Sequence, residues 1–119
     1  MKVAVSSAGR DLESEIDPRF GRCRYILIVD TDSYAVEVID NSENLNAFKG
    51  AGIQAAASLS KSGAEVLLTG YCGPNAFKTL QAAGIKVAND VSGKVKDAVD
   101  AFNEGKVTIA DDANVEAHW

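Results

Sequence analysis

A chain of 119 residues, 46% of them hydrophobic and 24% charged, is long enough to enclose one core without disulfide or metal staples, so one domain is expected. Its formal charge of −5 argues against general nucleic-acid binding, which needs an extended basic face to displace counterions from phosphates. No apolar run approaches membrane-spanning length, and residues 1–7 lead into strand-like sequence without the apolar region of a leader. Two cysteines and no export signal point to the cytoplasm, where thiols stay reduced.

Val3-Ala4-Val5 begins a first strand that ends near Ser7, and residues 8–22 form a long loop of the kind that is either functional or disordered in compact domains. The nearly continuous apolar run of residues 24–30 predicts a strand buried on both faces, inside the sheet. Turn residues at 30–33 return the chain over 34–40 as a hairpin, with Val36 and Val38 on one face and Glu37 and Ile39 on the other. Residues 41–49 read as polar loop. Gly50-Ala51-Gly52 leads into a helix over 53–62, with Ile53, Ala56, Ala57 and Ser60 at helical spacing and Gly63 as its stop.

A short buried strand over 65–70 follows, and Tyr71-Cys72-Gly73 joins it to a helix that opens with Pro74, a residue pre-set for the first helical position. Phe77, Leu80 and Gln81 keep the helical period until Gly84. Residues 85–88 make a further short strand, and the last helix carries the stripe Val95, Ala98, Val99 and Phe102, ending at Gly105. The order β-β-β-α-β-α-β-α predicts an α/β domain over residues 1–109: a mixed five-stranded sheet with packed helices and right-handed crossovers. Residues 110–119, with Asp111, Asp112 and Glu116 and no periodicity, are expected to form an acidic flexible tail.

All four arginines, Arg10, Arg19, Arg22 and Arg24, fall in one short stretch, whereas the eight lysines are scattered. Guanidinium presents a fixed fork of donors suited to oxyanions, and its charge suits sulfide-rich anions too. The alternative is a solvated turn paired with Asp11, Glu13, Glu15 and Asp17. If strands one, three and four run parallel, the arginine loop, residues 41–52 and residues 70–73 emerge on one rim, where open α/β sheets gather ligands. Cys23 joins them because the second strand starts there. The Gly73-Pro74-Asn75 helix start adds unpaired N–H groups and a positive dipole end; Gly50 and Gly52 either do the same or serve turn geometry and packing.

Cys23 and Cys72 are open to three readings: soft metal ligands, a thiol pair, or small buried hydrophobes. Two thiols fall short of a zinc site, which wants four ligands. The single histidine, His118, lies in the tail. The first strand ends in Ser6-Ser7 and the fourth in Thr69-Gly70, so neither projects the acids a two-metal hydrolase needs. No nucleophile elbow or Walker sequence is present, and Gly50-Ala51-Gly52 lacks the later glycine of the dinucleotide fingerprint. The sequence offers no catalytic constellation.

The string Asp17-Pro18-Arg19-Phe20-Gly21-Arg22-Cys23 after a first strand resembles the arginine-loop signature of the small nitrogenase iron-molybdenum cofactor biosynthesis proteins. Gly70-Tyr71-Cys72-Gly73-Pro74-Asn75-Ala76-Phe77, followed by Leu80 and Ala83-Gly84-Ile85-Lys86-Val87, is similar to that family's second signature, and the resemblance covers about residues 2–105. It implies a ribonuclease H-like three-layer fold, with helices on both faces of the sheet and without nuclease chemistry. It also implies a non-enzymatic protein that binds or carries an anionic molybdenum-containing sulfide cluster. Some members carry a histidine in the ligand region; its lack here favours a cluster held by charge and hydrogen bonds, molybdenum-copper ahead of iron-molybdenum.

On this resemblance Arg19 and Arg22 neutralise the cluster, and Gly73, Asn75 and Ala76 offer N–H groups. Phe20 and Tyr71 shield it, with Gly21, Cys72 and Pro74 completing the two loops. Cys23 and Cys72 are candidate metal ligands. A protein partner for delivery or regulation is implied, and neither nucleic acid nor membrane. Two other functions stand beside it: an enzyme or sensor that clamps a phosphorylated small molecule, and a cluster-free interaction module.

Overall fold

Apolar runs place the first two strands inside a sheet. β1 (Lys2–Ser7) and β2 (Tyr25–Asp30) pair antiparallel, from Lys2 opposite Asp30 to Ser7 opposite Tyr25, in a computed structural model that describes residues 1–44 and 50–110. β3 (Val36–Asp40) returns antiparallel to β2, while β4 (Val66–Leu68) and β5 (Lys86–Ala88) add in parallel on the far side of β1. The sheet is mixed and five-stranded, in the order β3-β2-β1-β4-β5.

Strand alternation sends successive side chains to opposite faces and so divides the core in two. Ala4, Ile26, Ile28, Leu67 and Val87 share one cluster with buried residues of α1 (Ala51–Ser60) and α2 (Pro74–Ala82). Val3, Val5, Leu27, Val29, Val66 and Leu68 share the other with Val95, Ala98 and Val99 of α3 (Val95–Asn103). Two helices therefore cover one face and one helix the other. No helix among the described residues is long and apolar enough to cross a membrane.

α1 differs from the sequence expectation in both start and face. It begins at Ala51, and its buried residues are Ala51, Ala55, Ala56 and Leu59, whereas Ile53 is 43% exposed and Ala57 and Ser60 face outward. Its contact with α2 is the cause: a Cβ on Gly52 would stand 3.0 Å from the Ala76 Cβ, a spacing that admits only small side chains. In β3, Val36 and Ile39 are half-buried against opposite cores and Val38 is exposed, as expected of an edge strand. The expected polar loop continues from Asn41 through a 3-10 turn (Ser42–Asn44); its residues 45–49 lie outside the described residues.

Ala110, counted with the tail from sequence, lies against the domain. Its N–H donates to Val87 O at 2.7 Å, and its methyl packs against the α1/α2 core. Residues 111–119, His118 among them, lie outside the described residues.

Candidate functional site

β1 and β4 end side by side, and the loops that leave them are stitched together through main-chain groups. Tyr71 N–H donates to Pro18 O at 2.6 Å and Phe20 N–H to Tyr71 O at 3.2 Å, which sets Arg19 opposite Tyr71 in a short parallel bridge. The approach is close enough that a Cβ on Gly70 would stand 2.8 Å from Pro18 Cα. Beneath it, the Ser6 hydroxyl donates to Asp17 O at 2.6 Å. A carbonyl cannot donate, so the hydrogen in the 2.7 Å contact between Ser6 and Thr69 comes from Thr69. Buried hydroxyls at the two strand ends thus fix where the arginine loop begins.

The arginine segment turns through a short 3-10 helix (Phe20–Arg22) that points Phe20, 2% exposed, into the core. Gly21 then lies on the start of α1: a Cβ there would meet Gly52 N at 2.6 Å and Gly52 Cα at 2.7 Å. Since Gly52 lies in turn on Ala76, the arginine turn and the starts of α1 and α2 converge. Gly50, at φ +80, admits the chain to α1, and among the described residues no side chain caps either helix start. In α2 the first helical bond runs from Phe77 N–H to Gly73 O at 2.9 Å, which leaves Asn75 and Ala76 N–H ahead of the ladder, at the positive end of the dipole.

The arginines, clustered in sequence, part in space. The Arg19 side chain is half-exposed, with Nε 3.9 Å from Asp17 Oδ1, a loose surface pair of little energetic weight. Asp17 Oδ1 also accepts the Arg19 N–H at 3.0 Å, which holds the turn. Arg22 is partly buried beside it. Arg10 and Arg24 instead lie over the Tyr25 ring, at 5.0 and 5.5 Å from its centroid, and Tyr25 belongs to the α3 side of the core.

Both thiols are interior. Cys23 is fully buried and donates to Phe20 O at 3.0 Å, and Asn41 Nδ2 donates to Cys23 O at 2.8 Å. Cys72 is 1% exposed. Burial pushes the Cys23 thiol up to about 12, with the charge of Asp17 adding to it, and burial alone pushes Cys72 up to about 12. Folding therefore favours the neutral thiols: the stability they contribute is intact below their ordinary value of 9.0 and is lost as pH rises toward about 12. At pH 8 a disulfide reagent such as DTNB should react with the native protein at least about tenfold more slowly than with the unfolded chain, because burial lowers the thiolate fraction and blocks access. Rapid reaction of either thiol in the native state would contradict this burial. Among the described residues no three His, Cys, Asp or Glu side chains group into a metal site.

Of the residues singled out from sequence, Arg19, Tyr71 and Asn75 are exposed at this rim, Gly21, Arg22, Gly73 and Pro74 are half-buried, and Phe20, Cys23, Cys72 and Ala76 are buried. Phe20 and Tyr71 thus separate: the first supports the loop from behind and the second stands at its surface. Pro18 and Gly70, Ser6 and Thr69, and the Gly21 contact with α1 were not anticipated. Their only sequence trace is the placing of glycines at 21, 52 and 70, which permits close backbone approach but names no partner.

Residues 1–105 match the family model described as dinitrogenase iron-molybdenum cofactor, a span that includes both loops. The chain is similar to the apo form of the orange protein from Desulfovibrio gigas, at 48% identity and a TM-score of 0.92 over 96% of each chain. An NMR structure of a Thermotoga protein of the DUF35 family is 42% identical, with a TM-score of 0.78 over 91% of each chain. An uncharacterized protein of Methanocaldococcus jannaschii is 26% identical over 111 residues, 90% of this chain and 93% of that one.

Proposed function

This chain belongs to the dinitrogenase iron-molybdenum cofactor family, and from that premise we propose that it is a non-catalytic carrier of an anionic molybdenum-containing metal-sulfide cluster. The observation that carries the reading is the convergence of the Arg19 and Arg22 turn with two helix starts that no described side chain caps, in a chain whose formal charge is −5. A sulfide cluster brings its own metal ligands. What it asks of a protein is net positive charge and N–H donors, and this rim offers them in Arg19, Arg22, Asn75 and Ala76, with Asp17 the carboxylate that pairs loosely with Arg19.

Tyr71 covers the cargo from the solvent side, and Phe20, Cys23 and Cys72 support the loops from the core. Direct ligation by either cysteine would require the thiolate, which burial disfavours. Molybdenum-copper is favoured over iron-molybdenum because the single histidine, His118, is remote in sequence from both loops. The strand order, with β2 antiparallel to its neighbours and helices on both faces, supports reading the fold as ribonuclease H-like. In this reading the protein works in the cytoplasm and passes its cargo to a protein recipient.

The test is anaerobic loading of the metal-free protein with tetrathiomolybdate and a copper salt, gel filtration, and a visible spectrum with elemental analysis for molybdenum, copper and iron. Coloured protein retaining molybdenum and copper is the expected result. Protein that stays colourless and metal-free, yet binds phosphorylated metabolites saturably, would replace the cluster with a phosphate ligand at the same rim.

A further inference from the structure

We propose that Arg10, Arg24 and Tyr25 form a second anion receptor, separate from the Arg19 and Arg22 turn, that docks a carboxylate side chain of an acidic protein partner. Exposed arginines ordinarily sample many rotamers, and the entropy of ordering them opposes binding. These two are already ordered by a ring. Their guanidinium carbons lie 5.0 and 5.5 Å from the Tyr25 centroid, and Arg24 Nε donates to the Tyr25 hydroxyl at 3.1 Å. Tyr25 is itself fixed, 8% exposed and paired in the sheet with Ser7 on one side and Asp40 on the other.

Hydrogen bonding at the phenol gives the receptor its direction. The oxygen accepts from Arg24 Nε, so its own hydrogen must point away from that guanidinium, and among the described residues no acceptor receives it. Two exposed guanidinium forks therefore stand over one ring whose O–H has no acceptor among the described residues.

Charge selects the occupant. Among the described residues neither Arg10 nor Arg24 makes an ion pair. Asp40 is the carboxylate close enough to act on both, and it accepts Ser42 N–H at 2.8 Å, so part of its capacity is taken. Two cations against one anion leave a single positive unit, which matches one carboxylate better than a doubly charged phosphate. Both arginines are exposed, so the matching group is one carried on another protein's surface. The inference stands whether or not the neighbouring rim carries a cluster.

The experiment follows the arginine Nε–H and Tyr25 ring signals by NMR during titration with an end-blocked hexaglutamate peptide. Inorganic phosphate and potassium chloride at matched ionic strength form parallel arms. Saturable shifts of the Arg10, Arg24 and Tyr25 signals with peptide, absent with chloride and at least about tenfold weaker in Arg24→Gln, are expected. Tyr25→Phe keeps the stacked ring and removes the hydroxyl, both its outward hydrogen and the oxygen that accepts from Arg24 Nε, so it should give an intermediate loss. Absence of saturable shifts, or equal peptide binding by the Arg10→Gln/Arg24→Gln protein, would overturn the proposal. Tighter binding of phosphate than of peptide would overturn its carboxylate specificity. Loading of the double variant with tetrathiomolybdate and copper should be unchanged; its loss would overturn the separation of the two sites.

Discussion

Alanine at position 21 is expected to destabilise the protein by about 2–3 kcal/mol and to lower its melting temperature by roughly 10 °C, the range of an overpacked core. The added Cβ would stand 2.6 Å from Gly52 N and 2.7 Å from Gly52 Cα. No rotamer relieves a contact with main chain, so the arginine turn or α1 must move. α1 has little room to yield, because Gly52 already lies on Ala76 with 3.0 Å between its would-be Cβ and the Ala76 Cβ, and the displacement passes to the start of α2. One methyl group thus disturbs all three walls of the rim. Gly84→Ala is the control: Gly84 has φ +78 and open space around its would-be Cβ, so only the left-handed backbone penalty of about 1 kcal/mol applies. Urea and thermal unfolding of the two variants decide the matter. A loss in Gly21→Ala no larger than in Gly84→Ala would mean that the turn and helix do not form a rigid unit.

That contact also marks where sequence ceases to report structure. β1 and β2 were legible because their apolar runs can only be buried strands, and the shared rim followed from chain direction once β1 and β4 were taken as parallel. The buried face of α1 was not legible. A helix of mostly alanine, glycine and serine with only Ile53 and Leu59 large and apolar gives little periodic contrast, and the close fit to Ala76 turned Ile53 outward. Phe20, flanked by Arg19 and Gly21, carried no sign that a 3-10 turn would direct it into the core. The division of the arginines was hidden for a related reason. Which side of the sheet Arg10 and Arg24 occupy depends on how a long loop returns to β2, and on Tyr25 belonging to the α3 side. Burial and strand direction are local properties of a sequence; loop trajectory is a property of the contacts that Gly21, Gly52 and Gly70 allow.

Replacing Arg19 and Arg22 together by alanine is expected to weaken retention of a molybdenum-copper load by about 100-fold, with unfolding free energy held within ~0.5 kcal/mol of the parent. The small structural effect follows from what holds the turn. Tyr71 N–H to Pro18 O, Phe20 N–H to Tyr71 O and Arg22 N–H to Arg19 O are main-chain bonds that alanine keeps, and the Arg19 ion pair at 3.9 Å is loose. The binding effect follows from charge. Each charge-assisted hydrogen bond contributes about 1.5–3 kcal/mol, and the variant is two units more negative than a chain already at −5. Arg19→Lys with Arg22→Lys keeps the charge and loses the fork, so its retention should fall between the two. Rising salt should release cargo from the parent and have less effect on the alanine variant, since screening acts on the contacts the variant lacks. Retention is read as molybdenum and copper per chain after gel filtration, beside urea unfolding of the same preparations. Undiminished retention in the alanine variant would sink the electrostatic reading. Loss of load without loss of stability, set against loss of both in Gly21→Ala, would separate the groups that hold the anion from the contacts that shape the rim around it.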